Sequence, residues 1–180
     1  MNIKTLSITA LVVFYFILGH CMAVRADYVL PYPSYMPGNK LYKVMRIVDK
    51  VKRFWYWGNI GQIKYHLELS DKYLVEAKTL MEYNQFLLAS DALIRSDGEF
   101  MQLPKYIDGA AKEGVDTVQL RQLVHQAADK HNEVLLFLLS STPASVIWSP
   151  EKAAATTLLL HKALENSQQI LVSVRQQITH

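Results

Sequence analysis

Cysteine is almost absent from this chain of 180 residues, with Cys21 the one example. Cys21 falls within residues 1–26, so the remainder of the chain can form no disulfide, thiolate metal site or cysteine nucleophile. Glycine is sparse too, and Gly58 and Gly61 stand isolated, which excludes a phosphate loop and a dinucleotide fingerprint. Neither a Gly-x-Ser-x-Gly elbow nor a His-Glu-x-x-His site occurs. Strong charge of either sign is also missing, since the formal net charge is only +3. A nucleic-acid partner normally demands a strongly basic face, so none is expected. No stretch alternates polar and apolar residues for a useful length, so no strands are expected.

What the chain has is apolar residues at helical spacing. Asn39 is a good N-cap for a first helix, in which Leu41, Val44, Val48, Val51 and Trp55 alternate at three and four. Lys43, Arg46, Lys50 and Arg53 fall about 200° round the wheel from that seam, and Phe54-Trp55-Tyr56-Trp57 leads into Gly58 as a stop. A second seam runs Ile60, Ile63, Leu67, Ser70, Leu74, Ala77, Met81, behind an Asn59–Gln62 capping box. Lys64, Glu68, Lys72 and Glu76 are placed along its outside. The third seam, Phe86 to Ala110, keeps register across Pro104 and reads as one kinked helix. Asp116 with Gln119 opens the fourth, which carries Val124, Ala127, His131, Val134 and Leu138. Pro143 to Trp148 reads as a loop, and Ser149-Pro150-Glu151 as the start of a fifth helix through Leu160, Leu164, Ser167, Leu171, Val174 and Ile178. The expected fold is all-α: an elongated antiparallel bundle of about five helices with coiled-coil-like packing.

Two segments precede the bundle of residues 39–180. Lys4 followed by the apolar run Leu6–Leu18, with Val24-Arg25-Ala26 at its end, reads as a signal peptide over 1–26. An uncleaved anchor through residues 5–20 is the rival. Cleavage after Ala26 would leave 17 basic against 16 acidic residues. His20 before Cys21 argues against a lipoprotein signal. Residues 27–38 hold Pro31, Pro33 and Pro37 among Tyr28, Tyr32 and Tyr35, an extended strap whose tyrosines are expected to lie along the bundle.

The stretch LPYPSYMPGNKLYKVMRIVDKV, followed by QIKYHLELSDKYLVEAKTL, resembles an uncharacterised bacterial and archaeal family, domain of unknown function 5667. Met36-Pro37-Gly38, Leu41-Tyr42, His66-Leu67-Glu68-Leu69, Leu74-Val75-Glu76-Ala77 and Lys130-His131-Asn132-Glu133-Val134-Leu135 carry the likeness, from about Leu30 to Leu139. Lys40 stands where that family has proline, and Ser70 where it has alanine. The resemblance implies an exported helical domain and brings no activity with it.

For chemistry, His125 and His131 point to different helix faces, and the carboxylates are scattered. No metal, cofactor or catalytic residue is expected, and the pattern argues against an enzyme. Counting from the turns puts Ser70, Ser96 and His131 at one level, a polar layer that His161 could join. The expected function is a non-catalytic cell-envelope module, periplasmic or secreted, that binds a protein or peptide partner. The alternative is a peripheral membrane-surface protein held by its N-terminus or by the helix 39–57, with Lys43, Arg46, Lys50, Arg53 and Trp57 as contacts. The apolar seam of that helix is expected to be buried in the bundle, which favours a solvated basic face.

Overall fold

A computed structural model describes residues 28–152 and 154–179; the proposed signal peptide or anchor lies outside the described residues. Among the described residues, six helices and one hairpin follow in order: α1 Tyr42–Lys52, α2 Gly58–Glu82, α3 Phe86–Phe100, α4 Leu103–Lys112, α5 Val118–Ser141, β1 Val146–Trp148, β2 Thr156–Leu158 and α6 Leu160–Thr179. The fold is all-α, a helical bundle with a two-stranded ribbon inserted before its last helix.

The centre of the bundle is α2. Ile63, Leu67, Ser70, Leu74, Ala77 and Met81 are buried, as the seam requires, but so are Tyr65, His66, Leu69, Asp71, Tyr73, Val75 and Glu76. A helix buried round most of its circumference has neighbours on several sides rather than along one narrow seam. Running antiparallel to it, α3 and α4 bring Ser96 to Ser70 and Tyr106 to His66. On another flank α5 meets α2 through His131 and Asp71. Opposite α2, α6 closes the ring by packing on α5 and on α3.

The third seam is two helices, α3 and α4, rather than the one kinked helix expected across Pro104. Pro104 has no N–H to bond the carbonyl of Phe100, and the helix is interrupted at Met101 and Gln102. Both keep right-handed helical angles (φ −63°, ψ −17° and φ −77°, ψ −20°), so the backbone bends without unwinding. Burial of Phe100, Leu103, Ile107 and Ala110 holds the two segments against the same core.

Several local expectations are corrected. Gly58 does not stop the first helix; α1 ends at Lys52, and Gly58, with φ +68°, opens α2. Asn59 therefore lies inside α2 and donates to Glu113 at 2.7 Å, while Gln62 donates to the carbonyl of Tyr56 at 2.5 Å. This makes no capping box. The fifth helix starts at Leu160 rather than Pro150, because Val146↔Leu158, Ile147↔Thr157 and Trp148↔Thr156 pair as an antiparallel hairpin. Residues of this type, β-branched and aromatic, favour the ribbon, and Pro150 falls in its connection. Of the strap tyrosines, Tyr28 reaches into the bundle, but Tyr32 and Tyr35 are exposed.

The bend into α2 leaves no room beside Gly61. A Cβ there would stand 2.8 Å from the carbonyl carbon of Tyr56, which is backbone and cannot swing aside. Gly61→Ala should therefore lower stability by about 1–2 kcal/mol in urea unfolding, despite alanine's better helix propensity. An unchanged or higher midpoint would mean that the turn yields.

Candidate functional site

Two features of the molecule stand out chemically: a belt of polar side chains inside the bundle, and a helix on its outside.

The belt takes two consecutive residues from each of four helices: Ser70-Asp71 from α2, Ser96-Asp97 from α3, His131-Asn132 from α5 and Ser167-Gln168 from α6. Ser70 and Ser96 hydroxyls lie 3.2 Å apart, and each also donates to the other's backbone carbonyl, at 2.9 and 2.8 Å. Asp97 accepts from the Ser167 hydroxyl at 2.6 Å, linking α3 to α6. Gln168 donates to Asn132 at 2.9 Å, linking α6 to α5. His131 Nε2 lies 2.7 Å from Asp71 Oδ1, linking α5 back to α2. Facing a carboxylate, that nitrogen carries the proton and donates. The circuit is closed. Each of the four helix contacts has one polar link at the same level.

A fifth element joins the belt through the strap, where the Tyr28 hydroxyl donates to Asp71 Oδ2 at 2.5 Å. Burial, and then the Asp71 charge, push the Tyr28 hydroxyl well above its ordinary pKa, so it stays a donor at any physiological pH. Asp97 is pushed up to about 6 by burial, against the lowering by Ser167 and by nearby His131. The Phe100 ring lies against the His131 ring, 5.0 Å between centroids, and seals the belt on one side.

The structure thus brings Ser70 and Ser96 together and sets His131 beside Asp71 rather than between the two serines. His161 is not in the belt. It stands in the first turn of α6, where its Nε2 donates to the carbonyl of Thr142 at 2.9 Å, and Ser167 occupies the α6 position instead. Sequence reasoning missed Asp71, Asp97, Asn132 and Gln168. A signal was present, since each directly follows the polar residue of its seam. One residue on is about 100° round the wheel, enough to face the next helix.

Further polar contacts lie along α2. His66 Nδ1 is 2.6 Å from Glu99, with its ring stacked on Tyr106 at 5.1 Å. Its buried Nε2 has no hydrogen-bond partner among the described residues. Among the described residues no group of three or more His, Cys, Asp or Glu side chains is placed to hold a metal ion. Glu76, expected on the outside, is buried, accepting from Arg95 at 2.8 Å and from Tyr42 at 2.7 Å. Tyr42 is pushed up to about 12 by burial and then by the bond to Glu76.

No protein-family model matches the chain, and neither a curated protein nor a solved structure matches it.

Tyr42 belongs to α1, and α1 is the second feature. Its contacts with α2 are polar. Besides Tyr42 with Glu76, Asp49 pairs with Lys72 and accepts from Tyr65 through its carbonyl at 3.1 Å. Lys52 donates to Glu68 at 2.9 Å, and Tyr56 just beyond the helix donates to the same carboxylate at 2.7 Å. Asp49 is only 3% exposed, the one buried residue of the helix. The expected seam is the reverse: Leu41, Val44, Val48, Val51 and Trp55 are all exposed, with Ile47 at 63%. Phe54, Trp55 and Trp57 continue that surface at 77%, 72% and 84%. The helix is packed with its polar side inward and its apolar side outward.

Of the basic residues singled out from the sequence, Lys43, Lys50 and Arg53 are exposed, and Arg46 is half-buried over the Tyr42 ring. On the helical wheel they form a margin between the packed side and the apolar side. Among the described residues no helix is long and apolar enough to cross a membrane.

Proposed function

We propose that this chain is a non-catalytic helical module of the cell envelope whose working surface is the outward side of α1. The inversion of that helix carries the reading. An apolar side of this extent left facing solvent marks a contact surface in a soluble domain, whereas single exposed leucines or valines do not. The apolar run Leu6–Leu18 behind Lys4, and the resemblance to domain of unknown function 5667, support an exported domain. The belt supports a structural use of the buried polar groups. Its side chains bond one another in a closed circuit, which suits fixing the register of four helices.

Substituting two outward residues tests the reading without touching the core. Ile47→Glu combined with Val51→Glu should leave the urea midpoint within about 0.5 kcal/mol of the parent. In cells the same variant should shift from the envelope fraction to the soluble fraction after a salt wash. Retention equal to the parent's would sink the proposal and leave residues 5–20 as the attachment.

A further inference from the structure

The outward side of α1 has three properties that together specify an occupant. First, it is convex. The helix lies outside the ring formed by α2, α3–α4, α6 and α5, attached along α2. A ridge of this kind fits a flat, deformable apolar phase better than it fits another rigid surface.

Second, its charge has one sign. From residue 28 to 67 the sequence has Lys40, Lys43, Arg46, Lys50, Lys52, Arg53 and Lys64, against the single acid Asp49. Asp49 is buried against Lys72, and the exposed Glu68 of α2 is taken up by Lys52 and Tyr56, so the margin of Lys43, Arg46, Lys50 and Arg53 stays basic. Lysine and arginine stems can lie along an apolar layer while their heads reach anionic groups above it. Two copies of α1 packed antiparallel and face to face would set basic margin beside basic margin.

Third, the strip ends in large aromatics. Phe54, Trp55 and Trp57 are exposed just beyond the C-terminal end of α1, and Tyr32 is exposed in the strap before it. Tryptophan and tyrosine favour the headgroup boundary of a bilayer, where one end of the ring is apolar and the other wet.

We infer that α1 lies in the plane of an anionic lipid surface, its apolar strip in the acyl boundary and its basic margin among the headgroups. The inference rests on the proposed use of α1 as a contact surface and names its partner. The helix is about 16 Å long, so it lies on the bilayer without crossing it.

Purified full chain carrying Trp148→Phe leaves Trp55 and Trp57 as the fluorescent reporters, since the sequence has three tryptophans. Vesicles of phosphatidylcholine with a minority of phosphatidylglycerol should sediment this protein and shift its emission to the blue. Vesicles of phosphatidylcholine alone should bind it at least about tenfold more weakly, and high salt should narrow the difference. Lys43→Glu with Lys50→Glu should remove the preference for anionic vesicles, and Ile47→Glu with Val51→Glu should remove the blue shift. Equal binding of both vesicle types by the parent and by both variants would overturn the inference, with the N-terminal apolar run responsible. Absence of vesicle binding, with envelope retention still lost in the Ile47/Val51 variant, would overturn the lipid partner while the contact surface stands. Concentration-dependent self-association abolished by that variant, again without vesicle binding, would replace the lipid by a second copy.

Discussion

Asp71→Ala is expected to lower stability by about 2–5 kcal/mol, the cost of leaving two donors inside the bundle without their acceptor. The Asp71 carboxylate has two donors, the Tyr28 hydroxyl at 2.5 Å and His131 Nε2 at 2.7 Å. Both Asp71 and His131 are buried, at 6% and 2% exposed. Removing the carboxylate takes the acceptor from the buried imidazole and from the half-buried phenol. The penalty is then the desolvation of two donors rather than the modest net value of two hydrogen bonds. His131→Leu combined with Asp71→Leu should recover most of that loss, because apolar side chains at both positions leave only Tyr28 to be satisfied. Leucine at 131 would also pack on Phe100, whose ring already touches the imidazole. The coupling is read from a double-mutant cycle in urea. Additive losses in the two single variants would mean that Asp71 and His131 do not depend on each other. Faster amide exchange over residues 28–38 in Asp71→Ala would show the strap loosening with the lost Tyr28 bond.

The way this pair appears in the sequence shows what a linear pattern can and cannot report. Counting residues from the turns puts Ser70 level with Ser96, and their hydroxyls are 3.2 Å apart. The same count brings His131 to the right level, but level along the axis does not say which neighbour a side chain faces. His131 meets Asp71 because α5 lies on the flank of α2 that Asp71 points to, whereas Ser70 points to α3. His161 drops out for a different reason. The stretch before Leu160 that reads as the start of the fifth helix contributes to a hairpin, so Leu160 begins α6 and His161 ends up at its first turn. Three-residue strands are too short for period-two alternation to register, and their pairing partners lie about ten residues away.

The first helix makes the complementary point. The spacing of Leu41, Val44, Val48 and Val51 correctly marks an amphipathic helix, and Tyr42–Lys52 is helical. Periodicity says that an apolar side exists; it carries no information about what that side meets. The deciding residues were elsewhere, in Glu68, Lys72 and Glu76 of α2. Their charges need partners, and Lys52, Asp49 and Tyr42 on the polar side of α1 supply them. An alternating row of charges on a long helix reads as a solvated face until another helix covers it.

Asp97→Asn is the second substitution with a large expected effect, here a gain, and pH decides its size. The Asp97 carboxyl is pushed from its ordinary 3.8 to about 6 in the folded protein, chiefly by burial. The folded state therefore holds this proton more tightly than the unfolded state. Below pH 3.8 the group is protonated in both states and contributes its full stability. As pH rises through about 4 to 6, the unfolded chain gives up the proton first, and stability falls. A rise of that size corresponds to roughly 3 kcal/mol, and partial access to solvent reduces this to about 2. Asparagine carries no charge at any pH, and its carbonyl can still accept the Ser167 hydroxyl now bonded to Asp97 at 2.6 Å. Asp97→Asn should thus be about 2 kcal/mol more stable than the parent at about pH 7, with the difference vanishing near pH 4. Melting curves of both proteins across that range check the sign and the window together. A variant less stable than the parent at neutral pH would show that the Asp97 charge is stabilised by His131 more than burial opposes it. The buried belt would then be an ionic lock that needs its charge, in place of a hydrogen-bonded circuit that only needs its acceptors.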